Sequence, residues 1–341
     1  MAKLPMWSSL YQLLRISAPL VKADLKEKTV VVVGANTGIG FETAQHFATM
    51  GPKRLILACR SQERGEAAIQ RLKQATGCNK AELWLIDLAD FSSVKAFADR
   101  ALDELERIDI IVMSAGIRTR KYNTTKDGWE TSLQVNYLSM SLLALWLLPR
   151  LSETAARFNV KPRIVVVTSG VHYSSRFEDE IFEAPNAFSL LSSEDYCTPN
   201  MMRTRYHQTK LLNVFFVRAL KNHLKDKSII VNAADPGFCH SELRREITSI
   251  GLSIYEWLFA MSAEEGSRNI IWASIGTPEG GNEDDMSGQF IMFASIQEPA
   301  DSVLGQEGKR REDKLWNDLI SISRDVYLIE VEEAWEATSE T

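Results

Sequence analysis

Thr29-Val30-Val31-Val32-Val33-Gly34-Ala35-Asn36-Thr37-Gly38-Ile39-Gly40 is the stretch whose reading decides the fold. Its first residues are apolar and β-branched, and the run is too short for a helix. It suits a strand buried on both faces of a parallel sheet. The run stops at Gly34, Gly38 and Gly40, after which Thr43, Ala44, Phe47 and Ala48 recur at helical spacing. A strand, a glycine turn and a helix start form the context that a dinucleotide-binding turn requires. Glycine lets the main chain reach positive φ and approach a pyrophosphate closely. The helix N-terminus adds N–H groups and a partial positive charge. An ordinary glycine turn between strand and helix would contain the same residues, so the neighbouring segments must decide.

Outward from that stretch, the same pattern repeats. Arg54–Cys59 reads as a second strand closing a βαβ unit, with Arg60-Ser61 directly after it. Glu82–Ile86 is a third strand ending in Asp87-Leu88, and Asp109–Val112 a fourth running into Met113-Ser114-Ala115-Gly116. Arg163–Val167 leads to Thr168-Ser169-Gly170, Ile229–Ala233 leads to Asp235-Pro236-Gly237, and Gly288–Phe293 is the last strand. This alternation predicts an α/β fold: a Rossmann-type, doubly wound, mostly parallel sheet with helices on both faces. Ligands of such sheets bind beyond the carboxyl ends of the strands, where Ser169 stands. Taken alone, Ser169 and the Asp235-Pro236-Gly237 segment are ordinary turn residues. Asp87 is also a plausible acid at the start of the helix that follows Asp90.

Tyr206-His207-Gln208-Thr209-Lys210 opens a further helix. Residues four apart share a helical face, so the phenol and the ammonium reach one cleft. A free tyrosine has a pKa of about 10, and bringing it to about 7 needs roughly 4 kcal/mol. A unit charge about 4 Å away at an effective dielectric of about 20 supplies that amount. Asn136, between the fourth and fifth strands, reads equally as a functional amide or as one that bends or caps the next helix.

The Gly-x-x-x-Gly-x-Gly turn, the strand-end serine and the Tyr-x-x-x-Lys pair, in this order, resemble the short-chain dehydrogenase/reductase family over about residues 26–295. The resemblance implies Asn136, Ser169, Tyr206 and Lys210 as the catalytic set, with Asn136 holding a water beside the lysine. It implies a cofactor site at Gly34, Asn36, Thr37, Gly38, Ile39, Gly40, Arg60, Asp87, Leu88, Ser114, Ala115, Gly116, Tyr206, Lys210, Pro236, Gly237, Phe238 and Ser241. NAD-using relatives carry an acid near the Cys59 position. None stands here, and the Arg60 guanidinium can grip a 2′-phosphate, which points to NADP(H). Met113-Ser114 departs from the two asparagines common in relatives, which removes a bracing bond and a ribose contact.

The Leu57-Ala58-Cys59-Arg60-Ser61 run, Asp87-Leu88 with Val94–Asp99, and the long insertion before Tyr206 resemble the retinol dehydrogenase and WW-domain oxidoreductase branch. That implies a bulky lipophilic alcohol or ketone, of retinoid, steroid or terpenoid type, with reduction favoured where NADPH is abundant. A non-catalytic NADP-binding regulator, and an enone or imine reductase or epimerase on the same fold, are the rival readings. Substrate choice falls to a lid insertion at about 172–205 and a loop at about 238–262. Tyr173, Met202 and Trp257 are the candidate contacts, although such residues also serve as packing.

A net charge of −6 and the lack of a long basic cluster argue against a nucleic-acid footprint. Cys59, Cys78, Cys197 and Cys239 show neither metal nor disulfide spacing, and the histidines no ligand spacing, so no metal and a reducing, cytoplasmic setting are expected. Residues 1–25 read as an amphipathic extension, a helix packed on the domain or a peripheral membrane contact, too interrupted to span. Residues 296–341 read as a C-terminal helical extension. Leu142–Leu148 reads as a core or subunit-contact helix, and the helices containing it and Leu211–Val217 are candidate homodimer contacts, although a pocket wall would look the same.

Overall fold

Thr29–Val33 form strand β1 with every residue at most 2 % exposed, because similar strands flank it on both edges. The others are β2 (Arg54–Cys59), β3 (Ala81–Leu85), β4 (Ile110–Met113), β5 (Arg163–Val167), β6 (Ile230–Ala234), β7 (Phe290–Met292) and β8 (Ser295–Gln297). The computed structural model describes residues 17–224, 228–240 and 259–326. Within them the strands form one sheet in the order β3-β2-β1-β4-β5-β6-β7-β8, parallel except for the β7–β8 pair. The order reverses at β1 and β4, which opens a crevice beyond their carboxyl ends.

The helices are α1 (Gly38–Thr49), α2 (Gln62–Thr76), α3 (Phe91–Glu104), α4 (Ser139–Phe158), α5 (Pro199–His223), α6 (Ala263–Ile275) and α7 (Gly305–Val326). Successive β1 side chains point to opposite faces. Val30 and Val32 meet α1, α2 and α6, whereas Val31 and Val33 join the apolar layer of α3, α4, α5 and α7. Each such fully buried aliphatic side chain contributes roughly 1.5–3 kcal/mol.

Leu142–Leu148 are 0–8 % exposed and lie in that second layer. The helical stretch Thr131–Phe158 is long and apolar enough to cross a membrane, but 94 % of its most apolar window is buried within the chain. Leu211–Val217 are also buried in the core. Both segments pack within the chain's own core.

Several expectations are revised. Residues 17–25 run as irregular chain instead of helix, ending in Leu25, which is buried in the α1–α2 layer; residues 1–16 lie outside the described part. The last strand is shorter than Gly288–Phe293. Phe293 and Ala294 adopt φ of 54° and 52°, forming a tight hairpin turn into β8, so a boundary at 295 would cut through a hairpin. Asn269 Oδ1 accepts from Ala294 N at 2.7 Å and steadies that turn.

The lid insertion is also not a lid over the crevice. It contains short helices at Asp179–Glu183 and Ala187–Ser192, and its Phe177, Phe182 and Phe188 are buried with Leu315, Trp316, Leu319 and Ile322 of α7. Asp318 on α7 accepts from Ala187 N at 2.7 Å. The C-terminal helix therefore covers the insertion and completes the core instead of trailing from it.

Candidate active site

The strand ends, the glycine turn and the start of α5 enclose a cleft of about 1020 Å³, at the upper end of the range for ligand pockets. Gly34 and Gly40 explain its tight floor. A Cβ on Gly40 would stand 2.2 Å from the Gly34 carbonyl oxygen, and one on Gly34 2.7 Å from the Ala115 main chain. Only glycine permits this packing of β1, α1 and β4. No acidic side chain stands in the first turn of α1, so the positive end of the helix is not neutralised locally. Arg71 donates to the Asn36 carbonyl at 3.0 Å and fixes the turn from behind.

Of the expected cofactor positions, Gly34, Asn36, Thr37, Gly38, Ile39 and Gly40 line this cleft. So do Arg60, Asp87, Leu88, Ser114, Ala115, Gly116, Pro236, Gly237 and Phe238. Ser241 and Trp257 lie outside the described residues. Asp87 Oδ1 accepts from Ala89 N at 3.0 Å, and Asp90, not Asp87, caps α3 by accepting from Ser92 N at 2.9 Å. The residues present thus fit an extended dinucleotide: a close-approach glycine floor, an open helix end and a basic far end.

Ser169, Tyr206 and Lys210 line the same cleft. Ser169 follows β5 in extended conformation and its Oγ accepts from Val171 N at 3.4 Å, which leaves its own proton to donate into the cleft. Tyr206 does not open its helix. The Thr198-Pro199 cap starts α5 about two turns earlier, with Thr198 Oγ1 accepting from Met201 N at 3.3 Å. The Lys210 Nζ lies 5.5 Å from the centre of the Tyr206 ring and donates to the Val167 carbonyl at 2.7 Å. Burial pushes the lysine down to about 8, opposed by the charge of Asp235. The Arg118 guanidinium is a second cation 5.5 Å from the same ring centre.

Asn136 is 1 % exposed and lies one layer behind the wall. A π-helical turn, Gln134–Leu138, presents its amide to the Ile117 main chain, donating to the carbonyl at 2.8 Å and accepting from the N–H at 2.7 Å. Its Nδ2 also lies 3.2 Å from Thr209 Oγ1. A Cβ on Gly116 would be 3.4 Å from Asn136 Oδ1 and 3.9 Å from Lys210 Nζ, so amide and ammonium flank one spot beside Gly116.

Tyr173 and Met202 are not brought to the cleft: neither belongs to its lining, and within 172–205 Ser174 alone does. Met202 is 2 % exposed. Tyr173 packs on His172 and Phe290 and its hydroxyl donates to the Glu298 carbonyl. Aromatic and methionine residues here serve packing.

Reasoning from sequence missed other residues. Arg64 lines the cleft with Arg60, one helical turn on, and that spacing was visible. Nothing in the local sequence marks the place of Arg118 over the tyrosine. Arg205 and Glu130 are both fully buried, with Arg205 Nε 3.4 Å from Glu130 Oε2. The Glu130 carboxylate accepts from Ser132 N and Leu133 N, each at 2.8 Å, so this pair ties the residue before Tyr206 to the turn that carries Asn136. His172 is buried, pushed down to about 4 by burial against the bond to Ser169. Its Nε2 accepts from Ala300 N at 3.3 Å, which leaves Nδ1–H to donate to the Ser169 carbonyl at 2.9 Å.

A family model for short chain dehydrogenase matches residues 28–178. Short chain dehydrogenase/reductase dmxR8 of Cryptosporiopsis sp. (strain 8999) is 34% identical over 316 residues, 91% of this chain and 95% of that one. Short chain dehydrogenase sol3 of Alternaria solani is 36% identical over 251 residues, 73% of this chain and 85% of that one. Among solved structures, salutaridine reductase from Papaver somniferum has a TM-score of 0.56 at 21% identity, covering 77% of this chain and 99% of that one. A short-chain dehydrogenase from Sphingobium yanoikuyae in complex with NADPH has a TM-score of 0.52 at 24% identity, covering 70% and 81%. At these identities the solved structures establish the shared fold, and the near full-length relatives establish the rest: the chain is an oxidoreductase of the short-chain dehydrogenase/reductase family.

Proposed function

We propose that this oxidoreductase is NADP(H)-dependent and interconverts a ketone or aldehyde with an alcohol on a bulky lipophilic substrate, working mainly as a reductase. The observation that carries the reading is the convergence of Ser169, Tyr206 and Lys210 at one end of the glycine-floored cleft, with Lys210 Nζ 5.5 Å from the Tyr206 ring centre. When bound, the dinucleotide supplies hydride to the carbonyl carbon. The Tyr206 phenol donates a proton to the carbonyl oxygen. The Ser169 hydroxyl donates a hydrogen bond to that oxygen as negative charge develops on it. Lys210 places a cation beside the phenol, and Asn136 holds the Ile117 main chain that walls the site.

Two features support NADP(H). Arg60 and Arg64 both line the far end of the cleft, and Cys59 stands where an acid would repel a 2′-phosphate. Ile117, Val135, Val171 and Phe238 give the near end an apolar wall, which supports a lipophilic substrate. The test is NADPH oxidation against a panel of bulky ketones, with Tyr206→Phe alongside. Turnover should fall about 10²- to 10⁴-fold in the variant while NADPH still binds. Undiminished turnover without the phenol would sink the catalytic assignment and leave the regulator reading.

A further inference from the structure

Asp235 is 2 % exposed, yet it is a carboxylate at the end of β6 whose two oxygens serve two different turns. Its Oδ2 accepts from Gly170 N and its Oδ1 from Gly237 N, each at 2.9 Å. The first turn carries Ser169; the second is the Pro236–Gly237 corner of the cleft. The main chain of Asp235 is itself fixed, with its N–H donating to the Ile291 carbonyl at 2.9 Å and its carbonyl accepting from the Asn269 amide. The approach is close on the Gly170 side, where a Cβ would lie 3.1 Å from Oδ2.

We propose that Asp235 is a positioning residue that locks the serine turn to the Pro236–Gly237 turn through one ionised carboxylate, so that the Ser169 hydroxyl and the hydride-delivering face stay in register. The inference rests on the reading of Ser169 as the donor to the carbonyl oxygen. A carboxylate suits the task because, when ionised, both oxygens only accept. A neutral acid or an amide must turn a donor or a weaker acceptor towards one of the two N–H groups, releasing that turn.

Charge in this spot is finely set. Burial pushes Asp235 up to about 6, with the Gly237 and Gly170 bonds and then Lys210 drawing it down. Facing it are Lys210 from α5 and Tyr173 from the turn after β5, whose phenol is pushed up by burial and then by Asp235. From α6 comes only the uncharged Asn269 amide, and in its own loop the Cys239 thiol donates to the Pro236 carbonyl at 3.2 Å. The bridge is therefore intact above about pH 6 and broken as the carboxylate is protonated below it.

The experiment compares wild type and Asp235→Asn in the pH dependence of kcat/KM for ketone reduction. Amide hydrogen exchange of the segments around Gly170 and Gly237 is measured in parallel. Wild type should lose activity as pH falls through about 6. Asp235→Asn should be roughly tenfold slower at pH 7.5, as expected for one lost charge-assisted bond, with no further fall on acidification. The turn that loses its acceptor should exchange faster, and NADPH binding should weaken by only about threefold because the glycine floor carries it. An acid limb that persists unchanged in the variant, or flat wild-type activity from pH 7.5 to 5, overturns the proposal. If the variant does not fold, wild-type exchange decides: at least one of the two turns must lose protection between pH 7 and pH 5. If no ketone is reduced by wild type, the reductase reading fails, and unchanged protection in the two turns is then what refutes the bridge.

Discussion

Gly40→Ala separates the role of the glycine turn in binding from its role in stability. The new Cβ would lie 2.2 Å from the Gly34 carbonyl oxygen and 2.9 Å from its carbon. Ordinary C···O contact begins near about 3.3 Å, so the Gly34 peptide and the start of α1 must part by roughly 1 Å. Overpacking of this size costs about 1–3 kcal/mol, and the better helix propensity of alanine returns up to about 1 kcal/mol. The net loss of stability lies between about 0 and 3 kcal/mol, a few degrees in Tm for a chain of this length. Cofactor affinity should fall on the order of 100-fold, because parting the turn by about 1 Å takes backbone donors out of reach of the pyrophosphate and each charge-assisted bond lost costs about 1.5–3 kcal/mol.

The controls are Gly38→Ala and Gly51→Ala, at φ of 58° and 69° with no atom within 4 Å of the added Cβ. Each carries the left-handed strain of about 1–2 kcal/mol, and of the two only Gly38 lines the cleft. NADPH fluorescence titration and thermal melting of all three variants decide the matter. Gly40→Ala should lose about two orders of magnitude in affinity and Gly51→Ala almost none. Wild-type affinity in Gly40→Ala, or equal losses in Gly40→Ala and Gly51→Ala, would refute the close-approach argument.

Arg60→Ala and Arg64→Ala should each weaken NADPH binding about tenfold, one charge-assisted contact to phosphate apiece, and leave NADH binding unchanged in the same titration. Equal losses for both dinucleotides would show that the arginines do not read the 2′-phosphate. Arg205→Met should destabilise by about 3–5 kcal/mol in denaturant unfolding, because the fully buried Glu130 is left without its cation. Adding Glu130→Gln should restore part of that loss, and a double variant no better than the single one would show that packing, not charge, is at stake.

Strands β1, β2 and β5 were legible to the residue, since a strand buried on both faces must be a short β-branched run bounded by turn residues. The β7–β8 hairpin was not, because its turn places Phe293 and Ala294 at positive φ, where sequence ordinarily advertises glycine or asparagine. The aromatic residues of 172–205 showed that something apolar would be covered but not what would cover it. The partner is α7, more than a hundred residues away, and only the fold brings them together. The catalytic candidates were legible because Tyr206 and Lys210 share a helix and Ser169 ends a strand. Asp235 was read as part of a turn because its bond to Gly170 N spans 65 residues, and nothing local announces a bond of that separation.

A shared logic links the residues that sequence left out. His172, Asp235 and the Arg205–Glu130 pair do not all face the cleft, yet each is bonded to a segment that does. His172 fixes the Ser169 carbonyl and, through Ala300, joins it to the chain leading into α7. Asp235 fixes the next peptide, Gly170, to the far turn. Arg205 holds the approach to Tyr206 against the segment bearing Asn136. Each of these groups is at least nine-tenths buried, where an unsatisfied partner is most costly. The α7 layer and the insertion are therefore part of what sets the geometry of the site, although they contribute almost nothing to its wall. Residues that line the cleft, such as Ile117, Val171 and Phe238, follow the carboxyl ends of strands outside regular sheet, where side chains can change with little disturbance to the bonded frame behind them. Specificity can thus vary on the wall while the acid–base geometry is held from the rear.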